Sequence, residues 1–369
     1  GVNLLTPGET PYENAQFLLF LCAVIKAVDD YQDLLRLAVA TAGNDHRLGA
    51  NEAPPAVVSM FLGDELTAVL DAIENDKPYS GTEKTIMKLG VHILPKFARD
   101  NTDRNRTSPF AFTGNKFEFR MLGSSNSIAC TNIMLNAAVA ESLKIYADRL
   151  ENAEDFETAL HDMIKKTIKD HKRIIFNGNG YDDSWIKEAT EKRGLLNLRT
   201  TPDALPKILD KKNVEMLTSL KVFTEAEIRS RYEITLENYC KTVNIEALTM
   251  VDMTKKEILP AIESYIKELS KTASLKVEAV PGLTSKYESE TISRLSLLSD
   301  EIYTAVCDLE KSLIELKTAG DITEESVMIR DVILNKMAAL RVPCDEAETL
   351  TAEKYWPFPT YGELLFGVK

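Results

Sequence analysis

The stretch FAFTGNKFEFRMLGSSNS, residues 110–127, decides how this sequence is interpreted. Within it, residues 116–121 (KFEFRM) alternate between charged and apolar side chains. Side chains two positions apart on a strand point to the same face, about 6.6 Å from one another. The pattern therefore predicts a strand with a buried apolar face and, on the other face, a charged row formed by Lys116, Glu118 and Arg120.

This charged row has two interpretations. Phe110 and Phe112 indicate an earlier strand, and TGN at 113–115 indicates a turn, so the row can be a solvated face of ion pairs on an antiparallel sheet. Alternatively it is a site for a polyanion. In that case Glu118 would hold a divalent cation while the flanking cations bind phosphate or carboxylate oxygens.

Composition excludes several classes of function. The chain has 369 residues, of which 44% are hydrophobic and 27% charged, as in soluble globular proteins. A net charge of −13 argues against nucleic acid or an anionic membrane surface as the main partner, although local basic clusters can still bind phosphate. The five cysteines contain no CxxC pair, which favours a reducing compartment without a zinc site.

The longest apolar stretch, NAQFLLFLCAVIKAVDDYQDLLRLAVATAG at 14–43, predicts a buried helix over residues 14–41. Lys26 and Asp29 interrupt it well short of the roughly 20 apolar residues that a membrane span needs. A loop is expected at 42–56, and further helices at 55–75, 132–150 and 285–318.

Two polar segments add candidate residues. RDNTDRNRTSPF at 99–110 contains Arg106, and GNDHRLGANEAPPA at 43–56 places Arg47 and Glu52 on a glycine-rich loop. Each has a simple explanation: Arg106 as solvated surface, Arg47 as an ion-pair partner and Glu52 as an acid before a helix. Functional groups nevertheless often sit on loops that rigid elements position.

Taken together, these segments resemble glutamine synthetase, in particular its long type III branch. The family carries an Arg-then-Glu flap loop ending in Glu-Ala-Pro, an Asn-Arg-Ser-like segment and an Arg-x-Glu-x-Arg strand. Here they correspond to residues 47–54, 105–107 and 116–120. NLLTPGETPYENAQFLLFLCAVIKAV at 3–28 and HKRIIFNGNGYDDSW at 171–185 extend the resemblance along nearly the whole chain.

The resemblance implies an ATP and metal site. Glu118 would bind Mg²⁺ or Mn²⁺ near the γ-phosphate of ATP, and Arg106 and Lys116 would contact nucleotide phosphates. There are departures from the family pattern. Lys116 stands where many members have arginine, so bidentate phosphate contact is lost there. Ala111 occupies the position of a second arginine.

It also implies a substrate site. Arg120 and Arg47 would bind the carboxylates of L-glutamate. Glu52, on the flap, would shield the γ-glutamyl phosphate from water and help to deprotonate the incoming ammonium. The spacing from Arg47 to Glu52 is one residue shorter than in the shorter family types, so the register of Glu52 is less well defined.

The family's upstream glutamates and metal-binding histidine do not occur before these motifs. The chain is therefore interpreted as the C-terminal half of the enzyme. The expected fold is α+β: residues 1–150 form the C-terminal part of a catalytic α/β half-barrel domain, and 151–369 form a mainly helical extension. Such a half is expected to be inactive alone, and the full enzyme is expected to be a cytoplasmic homo-oligomer, a ring dodecamer.

Two alternatives stay open at this point. The chain can come from a ligase of the same family that joins glutamate to another amine, or it can be a non-catalytic helical assembly or regulatory module. The segment 171–185 is interpreted as a structural Asn-Gly turn capped by aromatic residues, with an unassigned regulatory ligand site as the alternative.

Overall fold

The structure is a computed structural model and describes residues 1–50, 53–79 and 107–367. The chain divides into two compact units, Gly1–Ile234 and Thr235–Lys369, and the boundary falls within one long helix, Glu225–Met253. The division expected near residue 150 stays a prediction.

The first unit holds three short strands and most of the short helices. In chain order its elements are α1 (Ala15–Asp30), α2 (Gln32–Leu37), α3 (Ala42–Arg47), β1 (Met60–Phe61), α4 (Asp64–Glu74), β2 (Phe110–Phe112), β3 (Phe117–Phe119), α5 (Ala129–Glu151), α6 (Phe156–His171), α7 (Asp183–Lys187), α8 (Thr201–Ala204) and α9 (Lys211–Ser219). Two 3₁₀ turns (Lys172–Ile174 and Leu205–Leu209) and a π-helical turn (Glu188–Lys192) connect them.

The second unit consists of helices. Its elements, beginning with the helix that contains the boundary, are α10 (Glu225–Met253), a π-helical turn (Thr254–Ile258), α11 (Leu259–Ala279), α12 (Lys286–Leu316), α13 (Ile322–Met328), a π-helical turn (Ile329–Ile333), α14 (Leu334–Leu350) and α15 (Tyr361–Phe366). The chain is thus mostly helical with a small sheet, as expected for an α+β region of this family.

The apolar stretch at 14–41 forms two helices, so the prediction of one continuous helix is wrong. α1 begins at the cap Asn14, whose side chain accepts the amide of Phe17, and it ends at Asp30. After Tyr31 the chain restarts as α2, in whose first turn the Asp33 carboxylate accepts the amide of Leu34. No helix among the described residues is long and apolar enough to cross a membrane.

The loop predicted at 42–56 contains the short helix α3, capped by the Thr41 hydroxyl. The helix predicted at 55–75 begins only at Asp64. The residues before it form bends and irregular backbone that lead into β1, with Val57 and Val58 buried. Proline and β-branched residues favour extended backbone over a helix at such a position.

The three strands form one mixed sheet in the order β1-β2-β3. β1 runs parallel to β2, with Met60 opposite Phe110, and β2 runs antiparallel to β3, with Ala111 opposite Glu118. A further parallel bridge joins Met60 to Ile175. The strand predicted at 116–121 is shorter than expected, since β3 pairs with β2 only over residues 117–119.

The predicted apolar face of β3 is confirmed. Phe117 and Phe119 pack against the main core, and the Phe117 ring lies 4.8 Å from that of Phe110 on the neighbouring strand. Met121 follows in the same direction and is fully buried. The turn between the strands uses Gly114 at φ +96°, a backbone conformation that favours glycine.

In the second unit, α12 confirms the helix predicted at 285–318. Its apolar side chains at three- and four-residue steps are buried, among them Leu295, Leu298, Ile302, Leu309, Leu313 and Leu316. This buried apolar face of α12 packs against α11 and α14.

Two neighbouring leucines on α12 test which face of this helix is buried. Leu298 is fully buried, whereas Leu297 is 51% exposed. We expect Leu298→Ala to lower the free energy of unfolding by about 2–5 kcal/mol, since it leaves a cavity. The matched control Leu297→Ala should change it by less than about 0.5 kcal/mol. Urea unfolding followed by circular dichroism measures both, and equal losses would contradict the assigned face.

Candidate functional site

The charged row predicted on β3 is present and is centred on Glu118. The Arg120 guanidinium donates to Glu118 Oε2, from Nη2 at 3.1 Å and from Nε at 3.3 Å. On the other side, Lys116 Nζ lies 3.7 Å from Oε1, and the Thr113 hydroxyl donates to the same oxygen at 3.4 Å. One carboxylate is thus held between two cations, as the spacing predicts.

The cations keep Glu118 ionised. The hydrogen bond from Arg120 is the main cause that lowers the pKa of Glu118, and the charges of Arg120 and Lys116 lower it further. The Glu118 side chain is 40% exposed, so solvent screens these interactions and their contribution to stability is small. The arrangement therefore matters for presenting an anion beside two cations rather than for holding the fold.

Arg47 lies at the end of the same strand. Its guanidinium donates from Nη1 to the Met121 carbonyl at 3.0 Å and from Nη2 to the Arg120 carbonyl at 3.3 Å. The structure thus brings Arg47, Glu118 and Arg120 into one neighbourhood through the main chain after β3.

Two of the predicted site residues, Glu52 and Arg106, lie outside the described residues. The base of the loop that carries Glu52 is described, however. The Gly49 amide donates to the Pro54 carbonyl at 2.9 Å, and the Ala50 amide donates to the Arg47 carbonyl at 3.0 Å. Gly49 has φ +78°, a left-handed conformation that suits glycine at this turn.

Sequence reasoning missed Asn44, which holds the loop to the strand. Its side chain is almost fully buried and donates to the carbonyls of Val39 at 2.8 Å and Met121 at 3.0 Å. It also accepts from Arg47 Nη1 at 3.2 Å. Nothing in the periodicity of a glycine-rich segment indicates such a contact, because its partner lies 77 residues further along the chain.

Glu118 is the predicted metal ligand of the charged row. A hard divalent cation takes six or more oxygen ligands, and the three hydrogen bonds to Glu118 leave one of its about four lone-pair sites, on Oε1. Within the described ranges, no group of three potential metal-ligating side chains includes Glu118. A cation bound by Glu118 would therefore need ligands from elsewhere in the protein.

One such group does occur among the described residues, formed by Asp29, Asp30 and His171. Its charges already have partners. Arg173 Nε donates to both oxygens of Asp29 at 2.9 and 3.1 Å, and Lys26 pairs with Asp30. His171 Nδ1 lies 2.8 Å from Asp29 Oδ2. These contacts explain the cluster as an ion-pair network around the buried Asp29.

The segment 171–185 forms structural contacts, as its simpler interpretation predicts. The rings of Phe176 and Trp185 stack at 3.6 Å, and the Arg193 guanidinium lies 5.0 Å from the Trp185 ring. Asn177 Oδ1 accepts the backbone amides of residues 62–63, both at 3.1 Å. This segment therefore fixes the chain after β1 to the core.

The ionisation of Glu118 gives a test of the site. We expect Arg120→Gln to raise the pKa of Glu118 toward its ordinary value of 4.5, because the main lowering hydrogen bond is lost. In the unaltered chain, ionised Glu118 stabilises the fold above that ordinary pKa. The contribution disappears as pH falls through the lower folded-state pKa.

A carbon-13 NMR titration of the glutamate carboxyls measures this shift. Arg229→Gln, which removes an exposed arginine on α10, is the matched control and should leave Glu118 unchanged. An unchanged Glu118 pKa in Arg120→Gln would show that the two side chains do not interact in solution.

The chain is similar in sequence to known proteins. The sequence profile of the glutamine synthetase C-terminal domain matches residues 159–277. A glutamine synthetase of Butyrivibrio fibrisolvens is 42% identical over 375 aligned residues, which cover 100% of this chain and 53% of that protein.

Two further relatives agree. A type-3 glutamine synthetase of Dictyostelium discoideum is 39% identical, covering 99% of this chain and 51% of its own length. A glutamine synthetase of Bacteroides fragilis is 37% identical, covering 99% and 52% respectively. The chain thus spans about half the length of the curated relatives it matches. The resemblance indicated by the motifs is confirmed: over its whole length the chain is similar to glutamine synthetases, one of them a type-3 enzyme, and residues 159–277 match the family's C-terminal domain.

Proposed function

We propose that this chain is the C-terminal half of a glutamate–ammonia ligase, which forms glutamine from L-glutamate, ammonia and ATP through a γ-glutamyl phosphate. One observation carries the proposal. In a chain 42% identical to a glutamine synthetase, Glu118 is held between Lys116 and Arg120, and Arg47 lies against the end of the same strand.

Glu118 is the proposed ligand for Mg²⁺ or Mn²⁺. The metal, when bound, would neutralise charge on the phosphates of ATP during transfer. Arg120 contributes by keeping the Glu118 carboxylate anionic and fixed in direction. Lys116 is 66% exposed, and its 3.7 Å contact with Glu118 is loose, so its ammonium can turn to a nucleotide phosphate.

Arg47 and Arg120 are the proposed partners of the glutamate carboxylates. Both are anchored at the end of β3, which sets the distance between them independently of any loop motion. Fixed cations of this kind orient a substrate before reaction and lose little entropy when it binds. The roles of Glu52 at the flap and Arg106 at the phosphates rest on the family resemblance alone.

The larger organisation is part of the same proposal. Residues 1–150 would belong to the catalytic half-barrel domain, and 151–369 would form the type III extension. Further metal ligands would come from the other half of the enzyme, which explains why Glu118 has no such companions among the described residues. We propose a cytoplasmic ring dodecamer for the assembled enzyme, as in the family.

Activity with and without the remainder of the enzyme tests the proposal. The chain alone should release no phosphate from Mg-ATP in the presence of glutamate and ammonia. Joined to the complementary half of the Butyrivibrio fibrisolvens relative, it should form glutamine. In that protein, Glu118→Gln should lower kcat about 100-fold or more, because charge stabilisation in the transition state is lost.

The control variant is Glu151→Gln, which changes an exposed glutamate at the end of α5 and should leave turnover unchanged. Turnover by the chain alone, insensitive to Glu118→Gln, would contradict the assignment of the metal site. Faster reaction with a small primary amine than with ammonia would instead indicate a glutamate–amine ligase. Joined protein that neither binds Mg-ATP nor turns over would indicate a non-catalytic module.

A further inference from the structure

The short helix α3 has a second set of contacts, on the side away from β3. Asp45 follows Asn44 in sequence, but its carboxylate turns to residues 198–201 rather than to the strand. There it meets the guanidinium of Arg36, which comes from α2. α3 therefore lies between the end of β3 and a segment within the matched C-terminal domain.

The contacts of Arg36 and Asp45 are short and buried. Arg36 is only 1% exposed and donates from Nη2 to Asp45 Oδ1 at 2.8 Å. It also donates to the carbonyls of Leu198 at 2.7 Å and Arg199 at 2.9 Å. The second carboxylate oxygen, Oδ2, accepts the backbone amide of Thr201 at 2.6 Å.

Both oxygens of Asp45 thus have a defined partner, and the geometry leaves little freedom. A buried charge is strongly unfavourable without its partner, so Arg36 and Asp45 restrict each other to this arrangement. Burial raises the pKa of Asp45, and the Arg36 charge opposes that rise. Asparagine in its place offers one acceptor oxygen where the structure uses two.

The position of Arg47 depends on the same helix. Arg47 is two residues after Asp45, and its guanidinium reaches the Met121 carbonyl, which also accepts from Asn44. The loop that follows is closed at its base by the bond from the Gly49 amide to the Pro54 carbonyl. A shift of α3 would therefore move Arg47 and this base together.

We propose that Asp45 is a positioning residue. Through Arg36 and the Thr201 amide it joins residues 198–201 of the C-terminal domain to the helix that carries Arg47. It thereby sets where Arg47 and the base of the following loop lie at the end of β3. This inference rests on the proposed function for the role of Arg47, but the attachment itself is a property of the fold.

Hydrogen exchange tests the attachment without requiring activity. In Asp45→Asn, the hydrogen-bonded amides of residues 48–50 should exchange at least about tenfold faster, because α3 loses one of its two anchors. Amides in the centre of α1 should be unchanged. The matched control is Glu191→Gln, an exposed acid that lines the same cleft of about 620 Å³ as Asp45 and should alter neither region.

A second variant removes a hydrogen bond and keeps both charges. Thr201 is the first residue of α8, where proline is well tolerated, and Thr200 before it is extended at φ −119°, ψ 161°. Thr201→Pro deletes the amide that donates to Asp45. It should raise exchange at residues 48–50 by a smaller factor and leave thermal stability within a few degrees of the unaltered chain.

Kinetics of the joined enzyme give the functional readout. Asp45→Asn should raise the KM for glutamate at least about tenfold and change the KM for ATP much less, because Arg47 faces glutamate. Unchanged exchange at 48–50, or an equal increase throughout the first unit, would overturn the inference. Equal changes in the KM for glutamate and the KM for ATP would also overturn the inference. Increased exchange at 48–50 in a joined protein without turnover would support the attachment while refuting the proposed function.

Discussion

The fold of the first unit depends on one constraint: the charges buried along α1 and α2 must each meet a partner. Asp29, Asp33 and Arg36 are all 2% exposed or less. Each also has a hydrogen-bond partner much later in the chain, at Arg173, Asn213 and Leu198, with sequence separations of 144, 180 and 162 residues. The burial of these groups therefore depends on segments far along the chain.

This constraint also explains where sequence reasoning succeeded and failed. The alternation of residues 116–121 is local, and a strand with one buried face follows from it directly. The break between α1 and α2 involves buried polar groups with both near and distant partners. The Gln32 amide donates to the Asp29 carbonyl, and the Gln32 side-chain oxygen accepts the amide of Leu196, 164 residues further along the chain. Periodicity alone therefore predicted one long helix.

The candidate site divides in the same way. Lys116, Glu118 and Arg120 could be grouped from sequence because strand geometry places side chains two apart on one face. Arg47 could be joined to them only through the family resemblance, since its contacts are with main-chain carbonyls that no composition reveals. The roles of Asn44 and Asp45 could not be predicted from the sequence, because they depend on the Met121 carbonyl and the Thr201 amide. Glu52 and Arg106 remain predictions.

The stack of Phe176 on Trp185 has a practical consequence. The chain has two tryptophans, and Trp185 belongs to the first compact unit while Trp356 belongs to the second. Trp185 is 2% exposed, stacked on the Phe176 ring and close to the Arg193 guanidinium, whereas Trp356 is partly exposed and meets Phe358 edge-on. Fluorescence emission depends on exposure to water, so the two indoles differ optically. Replacing either tryptophan leaves a chain with one indole. The emission of that indole then reports the melting of its own unit alone.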